Sequence, residues 1–557
     1  MKPSTRHRLL KSGDPWIWMI SGGLALSLIM VIGLLVLIAV RGFGHFWPAP
    51  IVATTVTDAD GAQRPILGVL VRSETLPAKR LREAGQTVPE GELLVTRHLF
   101  RLGNRDLTGR DFAWYPAHLL GDFEYPADAL MLERREWGNF YGYARALERD
   151  GERITGAGLW DVLDESIERS NRLHEQIVEI ERVDIGRINR QMEALRLAER
   201  RLHLDGVQGP ERAEAMARIE ASRAELQAQF EAIQVERNKL IEQNRRDVLI
   251  AATADGREVR IPVSNIVMAS RNNALNLGGK LAFYGHRIHE FLTGYPREAN
   301  TEGGIFPAIF GTVTMVLIMS VLVTPFGVLA AIYLREYARQ GLVLKLIRVS
   351  VYNLAGVPSI VFGVFGLGFF VYLVGGSIDQ LFFPERLPAP TFGTPGLFWA
   401  SLTLALLTLP VVIVSTEEGL ARIPRSIREG SLALGATKWE TLWKVVVPLS
   451  APAMMTGLIL AVARAAGEVA PLMLVGVVKL APSLPVDGEF PFVHLERKIM
   501  HLGFHIYDVG FQSPNVEAAR PLVYATALTL VLLILILNLT AIAIRNRLRE
   551  KYRSQGD

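Results

Sequence analysis

Six apolar runs govern what this chain can become: Trp16–Val40, Ile305–Leu334, Val349–Val374, Leu397–Val414, Ala451–Val478 and Leu522–Ile544. Each is long enough to cross a bilayer, which takes about 20 residues in a helix. In hydrocarbon every peptide group must find its partner within the segment, so these runs have to be helices. The rest of the chain is unlike a membrane span. Half of the 557 residues are apolar, yet 21% are charged, so the two kinds of sequence are segregated along the chain. The fold class that follows is a polytopic α-helical membrane protein with six transmembrane helices and a large water-facing insert.

The first run is preceded by Lys2, Arg6, Arg8 and Lys11 and followed by Phe43, Phe46 and Trp47. It is too long for the apolar region of a cleaved signal peptide, and no small-x-small cleavage site follows it. It reads as an uncleaved anchor with its N-terminus inside. Alternation then puts residues 42 to about 300 outside, and 375–396 outside with Arg386 as its one basic residue. The inside segments are the basic ones. They carry Arg335, Arg339, Lys345 and Arg348; Arg422, Arg425, Arg428, Lys438 and Lys444; and Arg545, Arg547, Arg549, Lys551 and Arg553. Three short basic segments thus agree on one orientation, with both termini cytoplasmic. The expected division is 1–41 (N-terminal tail and first helix), 42–300 (external α+β domain), 301–548 (five-helix membrane core) and 549–557 (cytoplasmic tail).

Within the insert, Ile51–Val56, Ile66–Val71 and Leu93–Thr96 are strand-like, punctuated by Gly61, Gly85 and Gly91. From Trp160 to about Glu242 the pattern becomes helical. Leu173, Ile177, Ile180, Ile188, Met192 and Leu195 form one stripe. Met216, Ile219, Leu226, Phe230, Ile233 and Leu240 form another, interrupted by Arg223 and Arg237. The turn Leu204-Asp-Gly-Val-Gln-Gly-Pro210 separates them. This predicts an antiparallel hairpin with coiled-coil packing, roughly 50–60 Å long at about 1.5 Å per residue. Asp247–Ala252 and Val259–Val263 flank Asp255-Gly256, a β-hairpin signal. Strands on either side of the arm are expected to pair into one base, from which the arm projects.

Several chemistries are excluded. A net charge of +4 on this length does not suit nucleic acid, and with no cysteine there is no disulfide, thiolate or cysteine-bound metal. The nearest phosphate-loop match, Asn276-Leu-Gly-Gly-Lys-Leu281, has Ala274 where Gly is required and Leu281 where Ser or Thr would hold magnesium. His286 with His289, and His501 with His505, are pairs one helical turn apart. Two ligands do not make a metal site, and none is expected. No cofactor and no catalytic constellation is indicated.

Two polar features remain. Arg464-Ala-Ala-Gly-Glu468 falls in the fifth apolar run. An ionised side chain at mid-bilayer costs at least a few kcal/mol, so such a pair is either a structural ion pair or part of a polar pathway. Arg464 and Glu468 are one turn apart and can pair. Arginine's planar donors match two oxygens of an oxyanion at once. The second feature is the basic loop before that run, Glu429-Gly-Ser-Leu-Ala-Leu-Gly435, followed by Val445-Val-Val-Pro448. Ser431–Leu434 and Lys438–Val447 are expected as short helices. Gly435 would take the left-handed turn between them, and Pro448 would stop the second.

This loop resembles the "EAA" docking loop of ABC importer permeases. Glu429, Gly435 and Pro448 keep that pattern's spacing, while Gly430 and Ser431 replace its two alanines. Asn353-Leu-Ala-Gly-Val-Pro-Ser-Ile-Val-Phe-Gly363, Thr416-Glu-Glu-Gly-Leu420 and Ala463-Arg-Ala-Ala-Gly-Glu-Val-Ala-Pro471 narrow the resemblance to the A-type permeases of the bacterial phosphate importer, the Pst system, over about 300–548. The resemblance implies a location in the bacterial inner membrane. It also implies a homologous second permease, two ATP-binding subunits and a periplasmic phosphate-binding protein as partners. Glu429, Gly430, Ser431, Gly435 and Pro448 would couple to the ATPase, and Arg464 and Glu468 would line the substrate path. Import of sulfate or molybdate, or a membrane sensor or scaffold, are the alternatives. Nothing about the 42–300 insert follows from the family.

The topology predicts that a cysteine at Gln208, in the turn of the arm, reacts with a membrane-impermeant maleimide in intact spheroplasts. Labelling only after lysis would contradict it. The native chain contributes no background, having no cysteine.

Overall fold

The computed structural model describes residues 14–58, 60–83, 91, 93–156, 158–513 and 516–553. Lys2, Arg6, Arg8, Lys11 and Gly85 lie outside the described residues. Among those described, six helices are long and apolar enough to span a membrane: Trp16–Gly44, Phe306–Tyr337, Ser359–Phe382, Leu397–Ala421, Lys438–Gly467 and Ala519–Arg547. The chain is a multi-pass membrane protein.

The first span is helix α1 (Asp14–Gly44). Its side chains are exposed from residue 16 to 37, so it meets surroundings as apolar as itself. It touches the sixth span near Gly42, where a Cβ would come within 2.9 Å of Leu528.

The insert begins with β1 (Ile51–Thr57), β2 (Gln63–Pro77), β3 (Leu94–Arg101) and β4 (Phe112–Pro116), which form an antiparallel sheet in sequence order. Next come β5 (Ala129–Arg134), β6 (Phe140–Arg149) and β7 (Glu152–Ile154). The arm follows as α2 (Leu159–Glu179), a π-turn over Ile180–Asp184, α3 (Ile185–Leu204) and α4 (Pro210–Asn244). Then come β8 (Val248–Ala252), β9 (Glu258–Pro262) and β10 (Ile266–Ser270). The second sheet has the order β10-β5-β6-β8-β9, with β7 on β6. Strands before and after the arm do pair, β6 with β8, from Tyr143 opposite Ala252 to Glu148 opposite Val248. The two arginines that interrupt the arm's stripe are answered across the hairpin, Arg223 by Glu199 at 2.8 Å and Arg237 by Glu181 at 3.8 Å.

The arm does not project freely. Helix α3 lies against the turn Pro384–Arg386 of the membrane core. Arg201 pairs with Glu385, and Arg190 reaches Glu489 at 2.6 Å. A helical stripe specifies a partner face; it carries no information on which way the hairpin leans.

After α5 (Leu277–Thr293) the chain enters α6 (Phe306–Ile332), the second span. Helix α7 (Leu342–Leu354) and α8 (Ser359–Phe365) follow. The expected third span, Val349–Val374, is wrong at its start. Asn353 belongs to α7, the helix breaks before Pro358, and the span begins at Ser359. Proline lacks an N–H and pushes the residue before it out of helical geometry.

Helix α9 (Leu397–Ala421) is the central element, packed between α6 and the fifth span. Lipid is as apolar as leucine, so close approach of small residues has to bind these helices. A Cβ on Gly327 would sit 2.6 Å from Val412, one on Gly457 2.7 Å from Ser415, and one on Gly419 2.4 Å from Ala453. The Ser415 hydroxyl donates to the Ala453 carbonyl at 2.8 Å.

The basic loop holds α10 (Arg425–Ala433) and α11 (Lys438–Thr441). The fifth span continues as α12 (Val447–Gly467), followed by α13 (Leu472–Val475), α14 (Leu502–Tyr507) and α15 (Val516–Arg553). Two expectations fail here. Pro448 does not stop a helix. A π-turn over Leu442–Val446 runs straight into α12, with Pro448 in its first turn. Proline is tolerated there because the wider π-turn just before it opens the hydrogen-bond ladder where its N–H is missing and its ring would otherwise clash. The fifth span therefore starts at Lys438 and ends at Gly467, well short of Val478. The first short helix also begins earlier than Ser431, at Arg425.

Gly311 of α6 lies under the Met500 carbonyl, where a Cβ would fall 2.1 Å from the oxygen. Gly311→Ala is expected to destabilise the detergent-purified protein by about 1–3 kcal/mol, the usual cost of overpacking. Unchanged unfolding by denaturant would contradict this packing.

Candidate functional site

The basic loop is a small folded unit fastened to the core by a few charges. The Arg428 guanidinium donates to the carbonyls of Leu420 at 2.7 Å and Ile423 at 3.3 Å, the open end of α9. It also pairs with Glu336 of the second span at 2.9 Å, both side chains being largely buried. Lys438 reaches the Glu336 carbonyl at 2.6 Å and lies over the Tyr337 ring. Arg348, from α7, pairs with Glu417 of α9. The loop thus touches the ends of the second, fourth and fifth spans together.

Its own shape follows from local chemistry. Helix α10 ends in a Schellman turn, in which Gly435 N–H donates to Leu432 and Ala436 N–H to Ser431. Gly435 adopts φ +90°, the left-handed conformation expected of it, which a side chain would strain. Thr437 then opens α11 with a reciprocal capping box. Its hydroxyl accepts from Glu440 N–H, and Glu440 accepts from Thr437 N–H. Ser431 and Thr441 share a 2.9 Å hydrogen bond that ties the two helices together.

What the unit presents outward is distinctive. Glu429 is exposed and, among the described residues, has no hydrogen-bond or ion-pair partner. Gly430 is exposed, with open space where a Cβ would be. Leu434 is 90% exposed and Trp439 62%, and the Trp443 ring lies tilted against that of Trp439, 5.3 Å away. A folded polar unit that keeps a free carboxylate and large apolar side chains in water is shaped to meet another protein. Pro448 lies behind this surface, in the first turn of α12.

Arg464 and Glu468 do come together, with Nε and Oε1 3.6 Å apart, but not at mid-span. Arg464 is in the last turn of α12, and Glu468 has left the helix with φ −78° and ψ 138°. The sequence placed them mid-run because residues 468–478 are as apolar as a span, although they turn back as α13 and its loops. Helix α12 buries Ala461, Ala465 and Ala466 against the core. Leu460 and Arg464 point the other way, Leu460 being 55% exposed and Arg464 one-third exposed. Beyond the Glu468 contact, the Arg464 donors are uncommitted among the described residues.

Among the described residues no cluster has the makings of a metal site. His501 and His505 are buried, and burial pushes each down to about 4, so both imidazoles are neutral. The pairings of Arg428 with Glu336 and of Arg348 with Glu417 escape the sequence because nothing local pairs residues so far apart. The Thr437-Lys-Trp-Glu440 capping box also went unnamed, although its spacing is a signal that could have found it.

The core is thus a bundle of membrane-spanning helices with a small folded unit on its basic side and an ion pair near the opposite end of a span. Residues 323–553 match the model of the family described as binding-protein-dependent transport system inner membrane component. YqgH of Bacillus subtilis, described as a probable ABC transporter permease, is 32% identical over 203 residues, covering 36% of this chain and 62% of YqgH. The phosphate transport system permease PstA 1 of Mycobacterium tuberculosis is 36% identical over 175 residues, 31% of this chain and 52% of that one. YqgI of Bacillus subtilis, also described as a probable ABC transporter permease, is 30% identical over 236 residues, 41% of this chain and 74% of YqgI. The chain belongs to this family of ABC permeases and is PstA-like within it. It spans 62% of YqgH and 52% of PstA 1, so each of these also has sequence beyond the match.

Arg428→Ala should free the α10–α11 unit, because it removes charge-assisted hydrogen bonds of about 1.5–3 kcal/mol each and strands Glu336. Hydrogen exchange across residues 425–441 is expected to quicken at least tenfold with the spans unaffected. Unchanged exchange would show that the unit is held by something else.

Proposed function

We propose that this chain is a membrane-spanning permease subunit of an ABC importer and carries inorganic phosphate inward, using ATP hydrolysed by a separate subunit. The observation that carries the reading is the Glu429 unit, an outward-facing, pre-folded docking surface tied to three spans. In the proposed assembly the chain lies in the bacterial inner membrane with both termini cytoplasmic. The Glu429 surface sits in a groove of an ATP-binding subunit dimer, a homologous second permease completes the pathway, and a periplasmic phosphate-binding protein delivers the ion. The chain itself is not an enzyme, and the 42–300 domain is periplasmic.

The mechanism divides between the two ends. When the ATPase moves, Glu429 and its apolar neighbours move with it, and Arg428, Lys438 and the continuous fifth-span helix pass that displacement to the second, fourth and fifth spans. At the far end of the same span, Arg464 presents uncommitted donors. Two of them match two phosphate oxygens. Glu468 lowers the local positive potential, so the ion is met but not retained, and can accept a hydrogen bond from a still-protonated phosphate. Support for phosphate over another oxyanion comes from the names of the relatives. Sulfate or molybdate import is the competing reading within transport. A sensor or scaffold has no use for an ATPase-docking surface.

Complementation of a phosphate-uptake deletion strain, with sulfate and molybdate uptake as controls, tests the substrate. Glu429→Lys should abolish uptake and ATPase association while insertion persists, since the reversed charge repels a basic groove. Normal transport would sink the coupling role. Arg464→Lys keeps the charge but loses the fork, so uptake should fall by at least tenfold, and Arg464→Gln should nearly abolish it. Combining Arg464→Met with Glu468→Leu separates the roles. Apolar replacement often spares a structural ion pair, so recovery of uptake would reduce the pair to scaffolding.

A further inference from the structure

The arm and the transport core meet at two ion pairs that connect parts of the chain far apart in sequence. Arg201 of α3 pairs with Glu385, whose side chain is only 5% exposed, in the turn after the third span. Arg190 of the same helix pairs at 2.6 Å with Glu489, in the loop after the fifth span. Three turns of helix thus hold both loops that lie on the insert's side of the core.

Both loops are rigid handles. Asp379, fully buried, accepts from the amides of Phe392 and Gly393 and so closes the first loop around Glu385. Asp487 closes the second. It pairs with Arg497 at 2.7 Å and His494 at 2.9 Å, and it accepts from Glu489 N–H at 3.0 Å. Burial opposes its charge, but these bonds hold the Asp487 carboxyl down at about 2.

The other end of the arm is equally fixed. Arg169 pairs with Asp247 at 2.8 Å, and the Ser170 hydroxyl donates to Asn244 at 2.7 Å, so α2 and α4 move with the sheets. The chain leaves the insert for the second span through Glu298, Ala299 and Asn300, three successive residues with φ 46°, 54° and 76°. Such a run persists only where the surroundings enforce it. Glu298 is held at 2.8 Å by Arg105 of the insert, and Asn300 donates at 2.8 Å to the Lys479 carbonyl in the loop after the fifth span.

We propose that the arm is a strap across the insert-side mouth of the transport core: it holds the loops after the third and fifth spans together through Glu385 and Glu489, and must release at least one of them for the core to open on that side. Arg464 and Glu468 lie where the fifth span emerges on that side, so the strap gates access to them. The strap's role in transport rests on the proposed permease function.

The cysteine-free full-length chain allows a direct test in membranes. One variant carries Arg201→Cys with Glu385→Cys, a second Arg190→Cys with Glu489→Cys, and a third all four changes. A short bismaleimide is used rather than disulfide oxidation, since two long side chains separate each pair of backbones. Each pair should link in resting membranes. Linking both together should cut phosphate uptake at least tenfold relative to the same variant capped with N-ethylmaleimide. Full uptake in the doubly linked chain, or failure of either pair to link, overturns the strap. A charge swap, Arg201→Glu with Glu385→Arg, guards against misfolding. It should preserve linking at 190 and 489, and loss of linking there counts against the strap. If the wild-type chain moves sulfate or molybdate instead of phosphate, the substrate reading fails while the strap is judged by the same comparison with that ion.

Discussion

Arg428 is the fastening on which the arrangement depends. A permease driven from outside must be stiff between the place where it is pushed and the place where it opens. A loop held only by its covalent ends would absorb the push. Here one guanidinium closes the end of α9 and grips Glu336 of the second span, with little solvent to screen the charges. Lys438 anchors the start of the fifth span to the same residue through its carbonyl. The capping box, the Schellman turn and the Ser431–Thr441 bond then make α10 and α11 one body. Glu429 stays free because its neighbours do the holding.

The continuity of the fifth span matters for the same reason. Had Pro448 ended a helix, the proposed docking unit and the far end of the span would be joined by a flexible bend. The π-turn over Leu442–Val446 instead leads into α12 without a break, and Arg464 lies in the last turn of that helix. The membrane core is held by close approach of small residues, at Gly327, Gly419 and Gly457, so displacement at one end is carried by packed helices rather than by compressible side chains. On the other side, rigid loops around Asp379 and Asp487 continue that stiffness up to the arm.

Much of this was legible in the sequence because one strong force wrote it. Hydrocarbon demands apolar helices, which made the six spans visible, and Gly435 and Asp255-Gly256 announced turns that only permissive residues make. The misreadings share a cause as well. Residues 471–477 are apolar largely because they are buried in protein, and residues 349–358 are an apolar stretch that stays mostly exposed; composition distinguishes neither from a span in lipid. Pro448 does not stop the helix because the π-turn just before it accommodates the missing N–H, and no local pattern announces that turn. Arg428 with Glu336, and Arg201 with Glu385, are contacts between distant segments for which no local pattern exists. Glu429 is marked by its spacing from Gly435, and the structure adds what spacing does not contain, that the carboxylate is exposed and unpartnered among the described residues, in a unit that also exposes Leu434 and Trp439.

The most direct measurement is ion flux into proteoliposomes containing this chain with its proposed second permease and ATP-binding subunits. ATP is supplied on the Glu429 side and the soluble binding protein on the side of the 42–300 domain. The account predicts ATP-dependent entry of phosphate toward the Glu429 side, with sulfate and molybdate left behind. Equal flux without ATP, or selective entry of another oxyanion, would contradict it.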